Sequence, residues 1–215
     1  MSKVWLHIGM SLDGYVAGPR QSEENPLGVG GMQLHQWVFP LAAFRRTHGE
    51  GGGEVNASTP VVEGWFENVG AGVMGRNMFG GGPGPWGEDP WNGWWGDDPP
   101  FHTPVYVVTH HPRPPLTLSD TTFHFVTDGV ESAIAQAKGA AGDKDITIGG
   151  GANVIQQCLR AGLIDEMEIS VTPVLLGAGE RLFDDLGGGD LKLQQLRAIE
   201  APGVTHIRYR VATGD

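Results

Sequence analysis

Cysteine is almost absent from this sequence, and its scarcity excludes two kinds of stabilising chemistry. Cys158 is the only cysteine in 215 residues, so an intramolecular disulfide and a cysteine-rich zinc site are both excluded. Cys158 lies on the apolar side of a helical pattern, which predicts a core residue. A single cysteine is compatible with a reducing compartment, and we expect a cytoplasmic protein.

Basic residues and long apolar runs are also scarce. The chain has 14 Lys and Arg against 25 Asp and Glu, for a formal charge of −11, and a field of that sign repels polyanions and anionic membranes. No run approaches the roughly 18 to 20 apolar residues of a membrane span, and no signal for export is evident. We expect a soluble protein that binds a small molecule and neither nucleic acid nor membrane.

Strand-like runs alternate with helical patterns along most of the chain, which is typical of an α/β domain with a largely parallel sheet. The length favours a single domain over residues 1–215. The predicted strands are 4–8, 72–74, 105–108, 123–126, 145–148 and 167–171, and the predicted helices are 33–46, 60–69, 130–138 and 152–161. Near the end, segments 191–199 and 204–211 flank an Ala-Pro-Gly turn and predict an antiparallel hairpin.

One segment, at about 80–100, resists this description. It holds seven glycines, five prolines and four of the seven tryptophans, so a mobile backbone is combined with large amphipathic rings. We interpret it as an insertion that forms a lid or a binding surface, with Trp86 as a candidate substrate contact. The alternative is a flap packed onto the body of the protein or onto a second subunit.

Three consecutive glycines, Gly149, Gly150 and Gly151, stand between a predicted strand and a predicted helix. Such a turn presents backbone N–H groups at the positive end of a helix dipole, which suits a phosphate. Close packing alone is the alternative. The pattern is neither the G-x-G-x-x-G of a Rossmann unit nor a Walker loop, so a Rossmann dehydrogenase is disfavoured.

Two further strand ends carry groups that bind anions. Arg76 follows a strand and a glycine, and Thr109, His110 and Arg113 follow another strand. The carboxyl edge of an α/β sheet is where ligands bind, although the second group could equally form a solvated loop.

Asp13 lies in an Asp-Gly turn after the first strand. The eight histidines show no metal-binding spacing, and we expect no metal.

Five motifs, taken in their order along the sequence, together resemble a known family over nearly the whole chain. They are S-L-D-G-Y-V-A-G (11–18), G-V-M-G-R (72–76), Y-V-V-T-H-H-P-R (106–113), I-G-G-G-A-N (148–153) and L-I-D-E-M-E-I-S-V-T-P-V-L-L-G-A-G-E-R-L-F (163–183). In this order they resemble the dihydrofolate reductase-like superfamily, and most closely the reductase (C-terminal) domain family of the bifunctional riboflavin-biosynthesis deaminase-reductase. The resemblance implies a three-layer αβα fold, with a mostly parallel mixed sheet and a C-terminal antiparallel hairpin. It also implies a homodimer.

The resemblance further implies that NADPH lies across the carboxyl edge of the sheet. Gly9, Val16 and Ala17 would flank the nicotinamide. The remaining cofactor contacts would come from three groups: Gly149, Gly150, Gly151, Ala152 and Asn153 at the pyrophosphate; Gly75, Arg76 and Asn77 at the adenosine half; and Thr109, His110 and Arg113 at its 2′-phosphate. This set favours NADPH over NADH.

The implied reaction is hydride transfer to a C=N or C=O bond of a small pterin-like or pyrimidine-like heterocycle, or of a carbonyl compound. Asp13 matches a substrate-contacting aspartate of the family and is our catalytic candidate; a turn-stabilising role is the alternative. Glu63 and Leu176 are further substrate candidates. However, Glu63 falls later than the pterin-binding carboxylate of dihydrofolate reductases, and Arg181 is the only cation evident for a substrate phosphate.

A different class of function also remains open, namely a nucleotide-binding or interaction module that has kept the fold and lost turnover. The deaminase half of the bifunctional relatives is excluded. That half needs zinc held by H-x-E and P-C-x-x-C motifs, which a chain with one cysteine cannot provide.

Overall fold

The computed structural model describes residues 2–22, 24–188 and 191–213. The strands are β1 (Val4–Ser11), β2 (Tyr15–Ala17), β3 (Val69–Gly75), β4 (Val105–Val108), β5 (Leu116–Leu118), β6 (Thr121–Val126), β7 (Asp145–Gly150), β8 (Glu166–Thr172), β9 (Glu180–Arg181), β10 (Leu191–Ala201) and β11 (Val204–Thr213). The helices are α1 (Ala42–Thr47), α2 (Thr59–Glu63), α3 (Arg76–Phe79), α4 (Gly129–Ala141) and α5 (Ala152–Arg160), with a 3₁₀ helix at Gly31–His35. Within the described residues no helix is long and apolar enough to cross a membrane.

A nine-stranded mixed sheet of order β10-β11-β8-β1-β7-β3-β4-β6-β5 forms the central layer. The strands β8, β1, β7, β3, β4 and β6 pair in parallel, so their carboxyl ends meet at one edge. β11 runs antiparallel to both β8 and β10, which confirms the predicted hairpin. A small second sheet, β2 with β9, was not predicted. The observed topology agrees with the mostly parallel mixed sheet and the C-terminal antiparallel hairpin that the sequence predicted.

The helices α4 and α5 cover one face of the sheet and form the main apolar core with it. Leu6 and Ile148, which lie opposite each other in the sheet, are fully buried in this core together with Ile134 of α4 and Ile155 of α5. Cys158 is also fully buried here, as its place in the helical pattern predicted. Burial raises the pKa of its thiol to about 12, so it is uncharged and unreactive at neutral pH.

The opposite face is covered by short helices, and here the sequence predictions were wrong in extent. The predicted helix at 33–46 is broken into the 3₁₀ helix and α1, because Pro40 lacks an N–H group and disfavours helical conformation in the residue before it. The predicted helix at 60–69 stops at Glu63 because the chain must turn into β3. Trp37 and Trp65 anchor this layer; Trp65 stacks on His7 with a ring separation of 4.3 Å.

The segment 80–100 forms neither helix nor strand and packs onto the same face beside α3, β4 and β6. Three of its indole N–H groups donate hydrogen bonds to backbone carbonyls of the body. Trp86 bonds to His111 (3.0 Å), Trp91 to Phe79 (2.9 Å) and Trp94 to Met78 (3.0 Å). This part of the chain is therefore a flap held on the body, as one of the two interpretations proposed.

The packing of Trp94 in the flap predicts that alanine destabilises the protein more at position 80 than at position 82. Gly80 and Gly82 both have positive φ, at +90° and +73°, and Gly80 combines it with a ψ of −167°, a region that almost only glycine adopts. Alanine at either position should therefore destabilise the protein through the backbone, by about 1–3 kcal/mol. A Cβ at Gly80 would also lie 2.8 Å from the Trp94 indole, whereas at Gly82 it would meet nothing within 4 Å. We expect a further loss of about 1–3 kcal/mol for Gly80→Ala from overpacking.

The measurement is the free energy of unfolding in urea for the two variants and the parent. Gly82→Ala is the control for the cost of a positive φ. Equal losses in the two variants would show that the indole of Trp94 does not pack on the chain at Gly80.

Candidate functional site

A cleft of about 800 Å³ lies along the carboxyl edge of the sheet. Its floor is formed by the ends of β1, β7, β3 and β4, and its walls by the chain between β2 and the 3₁₀ helix and by the flap. Most of the predicted cofactor contacts lie in its lining: Val16, Ala17, Gly75, Arg76, Asn77, Thr109, His110, Gly149, Gly150, Gly151, Ala152 and Asn153. Residues from four separate regions of the sequence (16–17, 75–77, 109–110 and 149–153) thus share one cavity.

The start of α5 opens into this cleft. Gly151 is the N-cap residue, has extended backbone geometry and makes no side-chain capping hydrogen bond. A Cβ built on Gly151 would meet no heavy atom within 4 Å, so this face of the turn is open. The first N–H groups of a helix have no partner within the helix and carry its positive dipole end. The turn is therefore suited to an anion, as predicted for the phosphates of a nucleotide.

Arg76 provides a cation in the same cleft. Its side chain is only 8 % exposed, and its Nη2 donates a hydrogen bond to the carbonyl of Gly81 at 2.9 Å. Within the described residues, Nε and Nη1 are buried and have no hydrogen-bond partner. Burial and the neighbouring Arg113 lower its pKa to about 10, which leaves it charged at neutral pH. Buried donors without acceptors are costly, and phosphate oxygens are acceptors that match a guanidinium.

Arg113 and Trp86 were predicted to contact ligands, but the structure places neither in the cleft lining. Arg113 donates to the carbonyl of Trp91 and, at 2.7 Å, to the side chain of Asn92. The centre of the Trp86 ring lies 3.0 Å from the guanidinium carbon of Arg76 and 4.9 Å from that of Arg113. These cation–π contacts connect the flap to the cleft, and a direct ligand contact by either residue stays a prediction.

Asp13 also lies outside the cleft lining. Its carboxylate accepts hydrogen bonds from the backbone N–H groups of Leu176 (3.1 Å) and Gly177 (2.7 Å). A hydrogen bond from Ser11 and these backbone bonds lower its pKa to about 2. These contacts support the turn-stabilising alternative, and a catalytic role for Asp13 remains a prediction.

The other predicted residues are distributed around the site. Leu176 packs near Gly30, 3.3 Å from the position of a Cβ there. Glu63 is exposed and pairs with Arg46 at 3.5 Å. Gly9 does not itself line the cleft but lies under His35, which does. Substrate contacts by Leu176 and Glu63 and a nicotinamide contact by Gly9 stay predictions.

Several cleft residues were missed by sequence reasoning. Thr127 and Gly129 connect β6 to α4 and line the cleft, and the rule that singled out the glycine turn could have found them, because they too join a strand to a helix. His35 and Phe39 had no such signal. Trp94 and Trp95 line the cleft from the flap, so the flap is also a wall of the cavity.

The fold is an α/β protein with a mostly parallel sheet and a cleft at its carboxyl edge, where a helix N-terminus and a buried arginine meet, and it is similar to the dihydrofolate reductase fold. The family model of the RibD C-terminal domain matches residues 2–205. The chain belongs to this family.

Similar proteins include YyaP and YwjB of Bacillus subtilis (strain 168), both uncharacterised. YyaP is 36 % identical over 86 residues, 40 % of this chain and 45 % of YyaP. YwjB is 35 % identical over 81 residues, 38 % and 44 % of the two chains. The matched region thus spans less than half the length of each curated relative.

Among solved structures, a candidate riboflavin biosynthesis protein from Shewanella sp. PV-4 is similar at a TM-score of 0.64 and 25 % identity, over 98 % of this chain and 99 % of that chain. RibD of Acinetobacter baumannii gives a TM-score of 0.61 at 16 % identity, over 99 % of this chain and 59 % of that chain. Dihydrofolate reductase of Enterococcus faecalis, solved with NADP(H), gives 0.53 at 11 % identity, over 99 % and 97 %. At 16 % and 11 % identity, the similarity to the last two structures shows only that the fold is shared.

The contacts of Asp13 predict a pH-dependent effect on stability. The folded-state pKa of about 2 lies below the ordinary value of 3.8, so the carboxylate stabilises the fold above the ordinary pKa. This contribution is lost as the pH falls towards 2. Asp13→Asn should therefore be less stable than the parent at pH 6, and the difference should shrink below pH 4.

The free energy of unfolding in urea, measured from pH 2.5 to pH 7, checks this. Asp143→Asn is the matched control, since the Asp143 side chain is exposed, and it should follow the parent throughout. A difference between Asp13→Asn and the parent that stays constant with pH would contradict the role of the charge.

Proposed function

We propose that this protein is an NADPH-dependent reductase that transfers a hydride to a C=N or C=O bond of a small heterocycle or carbonyl compound. Membership of the RibD C-terminal domain family supports an oxidoreductase. One observation carries the proposal: the start of α5, with its backbone N–H groups, and Arg76 lie in the same cleft. The Nε and Nη1 atoms of Arg76 are buried and have no hydrogen-bond partner among the described residues. A guanidinium group and a helix N-terminus are together suited to bind the diphosphate of a dinucleotide.

The residues present fit such a cofactor along the whole edge. Ala152 and Asn153 at the start of α5 would hold the pyrophosphate. Arg76, with Thr109 and His110 on the next strand, would meet phosphate on the adenosine side, which favours NADPH over NADH. Val16 and Ala17 line the opposite end and would flank the nicotinamide.

When bound, the reduced nicotinamide supplies a hydride. The protein supplies orientation and exclusion of water. The rings of Trp94 and Trp95, together with the apolar chain around Leu27 and Met32, enclose the cleft and would limit water at the reacting carbon. In this proposal the flap is both a structural support and a wall of the active site.

A non-catalytic nucleotide-binding module is the second candidate, favoured by the position of Asp13 outside the cleft. The two are separated by turnover: an enzyme oxidises NADPH in the presence of an acceptor, whereas a module binds it without oxidation. A homodimer likewise stays a proposal, for which light scattering after size exclusion is the measurement.

Gly151 provides a test that leaves the fold intact. Its backbone is extended and a Cβ would meet nothing, so Gly151→Ala should keep the stability of the parent. The new methyl group would occupy the face that the phosphates approach, and we expect the NADPH dissociation constant to rise about 10-fold or more, equivalent to about 1.4 kcal/mol.

Binding is followed by quenching of tryptophan fluorescence with NADPH and with NADH. Gly139→Ala in α4 is the control, because its Cβ also meets nothing and the residue lies outside the cleft lining. Unchanged NADPH affinity in Gly151→Ala would place the phosphates elsewhere. A lack of preference for NADPH over NADH would count against the proposed cofactor.

Arg76 and Arg113 form a second matched pair, because both lie on the ring of Trp86 and only Arg76 lines the cleft. Loss of a charge-assisted hydrogen bond costs about 1.5–3 kcal/mol, so Arg76→Gln should weaken NADPH binding about 10- to 100-fold. Arg113→Gln should loosen the flap and leave the affinity within a few fold.

Thermal unfolding of both variants separates lost binding from lost structure. A loss of affinity in Arg113→Gln as large as in Arg76→Gln would mean that Arg113 reaches the cofactor, as the sequence resemblance implies. An unchanged affinity in Arg76→Gln would contradict the proposed site.

A further inference from the structure

The two ends of the cleft differ in charge. Neighbouring strands lie about 4.8 Å apart, so the end of β1 is about 10 Å from the end of β3, across β7. Arg76 stands at the β3 end. At the β1 end the lining is largely apolar, and its members are Ile8, Val16, Ala17, Pro26, Leu27, Met32 and Phe39, with Gln21, His35 and Glu180.

The ionisable groups at the β1 end are one imidazole and one carboxylate. Glu180 lies beside Ala17 in the pairing of β2 with β9 and lines the cleft. Arg181, the cation that the sequence offered for a substrate phosphate, lies outside the lining and pairs with Asp184 at 3.4 Å. Among the described residues, the lining of this end therefore contains no cation.

His35 is positioned directly over the end of β1. It is the last residue of the 3₁₀ helix, and a Cβ on Gly9 would lie 3.3 Å from its Cε1 atom and 3.8 Å from its Nδ1 atom. Glycine at position 9 therefore lets the imidazole lie against the backbone of the strand, at the floor of the cleft.

The bonding of His35 differs from that of His206, a fully buried imidazole in the same layer. His206 is fully buried, and its two nitrogens bond to Ser58 at 2.9 Å and Ser170 at 2.8 Å. Within the described residues, the ring nitrogens of His35 form no hydrogen bond. Burial lowers the pKa of His35, and the nearest imidazole, His7, has a pKa of about 3 through its burial and through His35. A neutral imidazole offers one donor and one acceptor.

We propose that the β1 end of the cleft takes an uncharged substrate, a flat heterocycle or a small carbonyl compound, and that His35 hydrogen-bonds to its carbonyl oxygen or ring nitrogen. This proposal rests on the proposed function, since it places the substrate beside the predicted nicotinamide position. A phosphorylated pyrimidine would bring an anion into an apolar pocket that has Glu180 and no cation, which is unfavourable. A Thermotoga maritima protein of similar fold is named as a reductase of such a phosphorylated uracil, and this chain would differ from it in substrate class.

The test compares 5-amino-6-(5-phosphoribosylamino)uracil, the substrate named for a Thermotoga maritima relative, with its dephosphorylated form and with a panel of uncharged pterins, quinones and small ketones. Turnover is followed by loss of NADPH absorbance, and binding to the NADP⁺-loaded protein by calorimetry. We expect at least one uncharged compound to bind and react. We expect the dephosphorylated uracil to be preferred over its phosphate by 10-fold or more.

Two variants of His35 test whether its imidazole hydrogen-bonds to the substrate. His35→Phe keeps a flat ring and removes both hydrogen-bonding atoms, and should lower kcat/KM for the preferred uncharged compound about 10- to 100-fold while the NADPH dissociation constant stays within 2-fold. His35→Gln keeps a donor and an acceptor and should recover part of the loss. His124→Phe, on β6 and outside the cleft lining, is the control and should match the parent.

Preference for the phosphorylated uracil, or an unchanged kcat/KM in His35→Phe, would overturn this proposal. So would failure of every uncharged compound to bind while NADPH still binds, and the cofactor assignment would then stand. Absence of NADPH binding to the parent protein would instead overturn the proposed function itself.

Discussion

Parallel pairing of β1, β7, β3 and β4 is the constraint on which the candidate site depends. Parallel strands end at the same edge, so residues separated by more than a hundred positions in sequence meet in one cleft. The register fixes the details: Met74 lies opposite Gly150 on one side and opposite Val107 on the other. A slip of one residue would turn every side chain of a strand to the other face of the sheet, and would remove Arg76 from the site.

The composition of the flap disfavours an ordered structure. A long segment rich in glycine and proline cannot satisfy its backbone by regular structure, and it loses much conformational entropy on ordering. Its tryptophans offset this cost, because their indoles bury a large apolar area and three of the four donate a hydrogen bond to the body. The ring of Trp86 lies within cation–π distance of both Arg76 and Arg113, which connects the flap to the arginine that lines the cleft.

The two faces of the sheet are stabilised in different ways. The face under α4 and α5 is apolar throughout, whereas the other face carries Glu166 and Glu168 of β8, both nearly fully buried. Arg208 of the hairpin binds Glu166 at 2.9 Å, and Arg197 binds Glu168. Lone buried carboxylates would be strongly destabilising. The hairpin arginines, together with Lys3 at 2.7 Å from Glu166, keep both carboxylates of β8 paired.

Much of the fold and part of the site could be predicted from the sequence. Hydrophobic patterning is local, and it correctly indicated β1, β7 and β8, the helices α4 and α5, and the hairpin. The order of the motifs pointed to the carboxyl edge, because strand ends and glycine turns carry their own signal. From these signals the sequence predicts Arg76, Thr109 and the glycines 149–151 at one edge of the sheet.

The tertiary structure alone decided which side chains face the cleft. Arg113 and Asp13 have the chemistry of site residues, yet their hydrogen bonds go to the flap and to the loop at Leu176 and Gly177. His35 had no motif, and it reaches the cleft because the broken helix around Pro40 places it over Gly9. Such positions depend on the packing of segments distant in sequence, and the direction of one side chain follows from contacts that no local pattern records.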